Sequence, residues 1–313
     1  MTNAAAMSRR ILAGLAIALI GVVGVLLIAN RAARLPEPRP IPVPNGYDEF
    51  ILASRMLGEK PAPVGKETPE QIAAYVASNR LALERLRIGL SRSSLAPAYA
   101  SSNAQTHLDT LSGMKALARL IAGEADLARQ AKDWDRLVTA STQGIDFGVR
   151  LAQGGVLMDS LMATAAEAMA RAPLEKALPE LPAAPARKAA LALVQLDPTR
   201  ETFKGVMLYE ELYVRRNSPM AMRVAWNLFL RRRTQAAFDK AEVKYNTSLL
   251  ATRTLTVQLA ARAYTLERGQ APSSPDALVP EYLPLIPVDP TTGKPLTRIS
   301  PTSAAAATQA PTE

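Results

Sequence analysis

Apolar residues recur every three or four positions along most of the chain, and strict alternation is scarce. Ile72, Tyr75, Val76, Leu83, Leu86 and Leu90 keep this spacing, as do Leu108, Leu111, Met114, Leu117 and Leu120. Such a period puts one apolar stripe per helix against a core. It predicts helices over 46–58, 69–90, 103–131, 134–153, 156–178, 186–196, 198–216 and 219–268, the last with a break near Asn246. Thr68-Pro69, Asp197-Pro198 and Ser218-Pro219 each pair a capping residue with proline at the first helical position. Gln71 follows Thr68 by three residues and completes a capping-box pattern. Asp133 reads as the cap of the helix that follows it, and Gly154-Gly155 as a turn. Pro179, Pro182 and Pro185 mark a hinge over 179–185 inside a helical domain spanning 45–269. The expected fold class is mainly α, as a helical bundle or an array of helical hairpins.

Residues 11–30 carry no charge, with Arg9 and Arg10 before them and Arg31 after. A helix of that length spans about 30 Å, the thickness of a bilayer's hydrocarbon core. A cleaved signal peptide is the rival reading, but its apolar core is about 7–15 residues and ends in a small-x-small site. Here the run is longer, and residues 29–33 match such a site poorly. The expectation is an uncleaved single-pass anchor with residues 1–10 cytoplasmic and the bulk of the chain extracytoplasmic, in the periplasm. Arg9 and Arg10 against Arg31, Arg34 and Arg39 nearly tie the positive-inside count, so orientation rests on the large domain that follows. Gly14, Ala18 and Gly21 share one face of the anchor at a spacing that lets two such helices approach closely. Proline at every second position from 36 to 44 predicts a polyproline II stalk over 31–44.

Charge changes this picture only locally. The net +9 resolves into +4 over residues 1–40, zero over 41–199, +7 over 200–270 and −2 beyond. Arg215, Arg216, Arg223, Arg231, Arg232 and Arg233 surround an apolar block containing Trp226. That combination suits a structural helix with a solvated arginine cap, an anionic membrane surface, or a partner protein. Confinement of the charge to a membrane flank and one helical stretch argues against nucleic acid.

Composition narrows the chemistry further. With no cysteine, a thiolate nucleophile, a disulfide or a cysteine-held metal is excluded. With one histidine, His107, any His-dependent triad must use that residue, and Asp109 two positions on does not face it on a helix. No phosphate-binding, dinucleotide-binding or metalloprotease motif is present, so no catalytic residue, metal or cofactor is assigned. The acidic clusters each lie close to lysine or arginine and read as solvated helix faces.

Two resemblances add to this reading. The run over 116–140, with its alanines, Leu117, Leu127, Trp134 and Leu137, loosely resembles a tetratricopeptide-type helix pair, which implies a protein-binding helical hairpin. No second copy follows at the spacing of about 34 residues that such arrays need, so an ordinary hairpin is favoured. The second resemblance is carried by Gly269 to Pro272, then Leu278-Val279-Pro280-Glu281-Tyr282-Leu283, then Pro287, Asp289, Pro290, Gly293, Pro295 and Leu296. This block resembles one found in uncharacterised single-pass bacterial envelope proteins, and also the C-terminal part of major type II secretion pseudopilins. The resemblance implies a Pro-rich wrap over 270–299 with at most one short strand, anchored by Leu278, Tyr282, Leu283 and Ile286. A prepilin peptidase signature is absent ahead of residue 11, and Asp289 is the loop's lone carboxylate, so neither the secretion role nor a calcium site is carried over. Residues 300–313 are small, polar and Ala-rich, the composition of a disordered tail.

The expected function is a non-enzymatic scaffold or interaction module at the membrane, partnered by another envelope protein or by itself through the anchor. A secretion- or pilus-related component is the alternative, and so is an enzyme whose carboxylates converge only in the fold.

Overall fold

The computed structural model describes residue 21 and residues 37–58, 68–97, 104–217, 231–297 and 299. Among these the protein is all-α, with nine α-helices and no strand. They are α1 (Gly46–Arg55), α2 (Pro69–Ser78), α3 (Arg80–Leu90), α4 (Ala104–Gln130), α5 (Trp134–Ala152), α6 (Leu157–Ala177), α7 (Ala183–Leu196), α8 (Phe203–Asn217) and α9 (Arg231–Arg268). No described helix is long and apolar enough to cross a membrane. The predicted anchor at 11–30 lies outside the described residues except for Gly21, as do Gly14, Ala18 and the tail from residue 300.

The centre is the packing of α4, α5 and α6. Glycine brings α5 onto α6: a Cβ at Gly144 would sit 2.6 Å from Ala170 Cβ, and one at Gly148 would sit 2.5 Å from Glu167 Cγ. Close helix approach of this kind buries alanine faces efficiently. Ala163, Ala166 and Ala170 are all buried along α6. Two apolar clusters share these helices. One joins α1, α2, α3 and α4 through Phe50, Leu83, Leu86 and Met114, with Phe147 packed edge-on against Phe50 at 4.9 Å between centroids. The other joins α6, α7 and α9 to the C-terminal segment through Leu174, Leu193, Leu259 and Tyr282. Helices on both sides of residues 179–185 contribute to this second cluster.

Several boundaries follow from the signals in the chain. Thr68 and Gln71 form the expected capping box, and the Asp133 side chain accepts from Arg136 N at 3.1 Å. Gly269, at φ +72°, stops α9. Leu111, Met114, Leu117 and Leu120 are buried as the spacing predicts, whereas Leu108 is exposed.

Other boundaries depart from expectation. The helix predicted over 69–90 is two helices broken at Asn79. Its buried side chain donates to Tyr75 O at 2.8 Å and accepts from Gly58 N at 2.9 Å, drawing the end of the preceding segment against the break. That bond also ends α1 before residue 58. Asp197-Pro198 starts only a 3-10 turn, Asp197–Thr199, with α8 beginning later at Phe203. Asp197 is diverted because its carboxylate holds Arg253, at 3.1 Å to Nε and 2.7 Å to Nη2. α9 runs through Asn246 without a break. Ser218-Pro219 lies outside the described residues.

The C-terminal segment wraps the second cluster. A 3-10 turn, Pro275–Leu278, buries Leu278, and Tyr282 and Leu283 are fully buried, while Ile286 packs at the cluster's edge. No strand forms here; a lone antiparallel bridge joins Val288 to Pro295. Asp289 folds its own loop, accepting from Thr291 N at 2.7 Å and Thr292 N at 3.2 Å.

Candidate functional site

Two polar constellations meet at α8, through the adjacent residues Tyr209 and Glu210. The first fastens the Pro-rich segment to the body. Arg39 Nε donates to Tyr209 Oη at 3.0 Å, its guanidinium lies 5.7 Å from the centroid of the Tyr209 ring, and Nη2 pairs with the Glu201 carboxylate. A planar guanidinium suits this site because it can pair with a carboxylate and stack on a ring at once. Glu201 also accepts from Gly154 N at 3.2 Å. The loop carrying Glu201 is itself pinned. Gln153 Nε2 donates to Thr199 O at 2.7 Å, and Tyr245 Oη donates to Glu201 O at 2.6 Å. Further along, Asn45 is buried, exchanges 3.0 Å bonds with Leu95 through both its amide and carbonyl groups, and accepts from Tyr47 N to cap α1. The described part of the predicted stalk is therefore fastened to the body at Arg39, and again at Asn45 just beyond it.

The second constellation is buried. Asp159, on the first turn of α6, accepts from Val156 N at 2.8 Å through Oδ2, while Oδ1 is buried without a hydrogen-bond partner. Gly155 lets it close, since a Cβ there would sit 2.5 Å from Asp159 Cβ. His107 Nε2, from the start of α4, lies 3.3 Å from Asp159 Oδ2, at ion-pair distance but without hydrogen-bond alignment. From α8, Glu210 accepts from Leu157 N at 2.9 Å. Free N–H groups at a helix start are a favourable place for carboxylates, and here two of them meet two acids.

Electrostatics couples these groups. The Asp159 carboxylate holds the His107 pKa above the ordinary imidazole value; burial opposes this and Glu210 assists. Burial raises the Glu210 pKa, with Asp159 adding to the rise while the Leu157 N–H and His107 oppose it. Burial also pushes the Tyr47 phenol well up, with Asp159 contributing. Among the described residues no group of three or more His, Asp or Glu side chains is arranged to hold a metal ion.

No protein-family model, curated protein or solved structure matches this chain.

The residues singled out in the sequence lie mostly elsewhere. Arg215 pairs with Glu211 at 2.8 Å on α8, and Arg216 is exposed one position on. Arg223 and Trp226 lie outside the described residues; Arg231, Arg232 and Arg233 begin α9. His107 does not use Asp109, which accepts from Gln105 at 2.8 Å. Its partners Asp159 and Glu210 are distant in sequence, and no local pattern marks them. Arg39 likewise looks like one more charge in a stalk until Tyr209 and Glu201 are placed beside it. A cleft of about 100 Å3 between α7, α9 and the wrap is lined by Leu193, Val194, Thr256, Leu285 and Pro287. Its charged groups, Asp197 and Arg253, are bound to one another.

Proposed function

We propose that this chain is a single-pass envelope protein, anchored through residues 11–30, whose periplasmic helical body is a non-enzymatic scaffold presenting one face to another envelope protein. The observation that carries this reading is the docking of Arg39 on Tyr209 and Glu201. Only the stretch from residue 31 to Arg39 would separate bilayer and body, under about 30 Å even if fully extended. A body clasped at that point keeps a fixed attitude to the membrane, which a scaffold needs and a freely diffusing catalytic domain does not. The apolar groups left exposed on α1, at its C-cap and on α3, namely Leu52, Met56, Leu81 and Ile88, supply contact area for a partner. The Arg215 to Arg233 stretch supplies attraction to anionic headgroups. The C-terminal block supports kinship with single-pass envelope proteins by resemblance.

A photo-crosslinking residue placed at Leu52 or Leu81 in living cells tests the reading. It predicts a discrete adduct from these positions that weakens when Arg39→Ala frees the body. Absence of any discrete adduct from both positions would remove the scaffold role.

A further inference from the structure

We propose that His107, Asp159 and Glu210 form an acid-tightened clasp on α8, and that α8 in turn controls how firmly the segment after the anchor is held. The inference goes beyond the scaffold role and rests only on the anchor in that reading.

Four helices meet at the first turn of α6. Asp159 comes from α6 itself, with its side chain 1% exposed and Oδ1 unpartnered. Glu210 comes from α8, and Tyr47 from α1 faces Asp159. His107 comes from α4; on its own helix the nearest titratable neighbour is Asp109, occupied by Gln105. The full charge count at the site is thus two carboxylates, one imidazole and a neutral phenol. When His107 is protonated, one positive charge offsets two negative ones. When it is neutral, two carboxylates face each other across a low-dielectric site with only the helix N–H groups to hold them.

Of the elements meeting there, α8 has the weakest apolar hold. Val206 and Tyr209 are its only buried residues, whereas α6 buries ten along its length. Repulsion between Asp159 and Glu210 therefore shifts α8 before it shifts α6, since the element with least buried area opens first. Tyr209 precedes Glu210 in the chain and receives Arg39. Loosening Glu210 from Leu157 N moves the ring and hydroxyl that Arg39 grips. The buried clasp and the tether dock are two faces of one helical turn.

The sign is the same for both titrating groups. The raised His107 pKa means its contribution is complete below the ordinary imidazole value of about 6.5 and is lost as pH rises through the folded-state value. The raised Glu210 pKa means the protonated acid is favoured in the closed site, a contribution also lost as pH rises. Acid closes the clasp and alkali opens it.

The experiment uses the full-length chain in a lipid nanodisc. Because His107 is the sole histidine, its imidazole resonance is read without assignment. Hydrogen exchange of segment 203–217 is measured at pH 5.5 and 8.5, corrected for intrinsic rates. The tether is Pro-rich and carries few amides, so it is followed by the distance between spin labels at Glu37→Cys and Lys204→Cys. His107 is expected to titrate above 6.5. Segment 203–217 should lose protection at pH 8.5, by about tenfold for each unit separating the closed-site pKa from the open one, and the label distance should broaden with it. Glu210→Gln keeps an acceptor for Leu157 N and removes the charge, so the segment should stay protected and the distance narrow at pH 8.5. His107→Gln should abolish the part of the loss that follows the imidazole titration. Titration at or below 6.5 overturns the proposal. So does pH-independent protection in the wild type, or Glu210→Gln exchanging like wild type at pH 8.5. Loss of protection in 203–217 with no broadening of the label distance overturns the coupling to the tether.

Discussion

Arg200 Nη1 donates to both carboxylate oxygens of Glu167 at 2.7 Å, and the two side chains are 10% and 5% exposed. The pair ties the loop after α7 to the middle of α6, close to where Gly148 lets α5 approach. Removing one partner strands a buried charge, which costs about 3–5 kcal/mol. Arg200→Ala is expected to lower the urea-unfolding free energy by that amount. Replacing both residues with apolar ones of similar volume should recover most of the loss. A single substitution that leaves stability unchanged would show that water reaches Glu167.

The C-terminal wrap is part of the core rather than an appendage. Leu283 is fully buried against α7 and α9, so Leu283→Ala should cost about 2–5 kcal/mol. Tyr282 Oη donates to Glu267 at 2.8 Å, and Tyr282→Phe, which keeps the ring, should cost only about 0.5–1.5 kcal/mol. Chemical denaturation of the two variants side by side separates packing from hydrogen bonding.

Lys132 ends α4 in the left-handed region at φ 55°, with Asp133 N bonded back to Ala128 O at 2.9 Å. A side chain there is disfavoured, and glycine is the usual occupant. Lys132→Gly should raise stability by about 0.5–1 kcal/mol. The exposed contact of Lys132 with Glu180 at 3.1 Å contributes too little to reverse the sign. A drop in the thermal midpoint would contradict this.

The stability of the body should depend on pH through His107. Its raised pKa makes the wild type gain on His107→Gln at pH 5.5, and that advantage should shrink as pH rises past the folded-state value. Urea midpoints of the two proteins at four pH values read it directly. Parallel curves would show that the imidazole charge contributes nothing.

Much of the fold was legible in the chain because its signals are local. The Thr68 capping box, the Asp133 cap and the Gly269 stop act within three or four residues, and each appears where expected. The failures share a cause. Asn79 breaks a helix because of a bond to Gly58, and Asp197 leaves its helix for Arg253, 56 residues away. Both are short polar side chains whose choice between capping and tertiary bonding is made by the partner. The candidate site was hidden for the same reason. His107 was visible as a lone imidazole, yet Asp159 and Glu210 reach it only because α4, α6 and α8 converge. Arg39 could not be told from a solvated stalk charge without Tyr209, 170 positions on.

The clasping of the segment around Arg39 to the body can be read as one distance. The absence of cysteine allows Glu37→Cys and Lys204→Cys to carry a pair of spin labels at exposed positions beside the dock. In the intact chain a single narrow distance distribution is expected, and it should broaden when Arg39→Ala is added. A broad distribution in the unsubstituted background, or a narrow one that Arg39→Ala leaves unchanged, would contradict it.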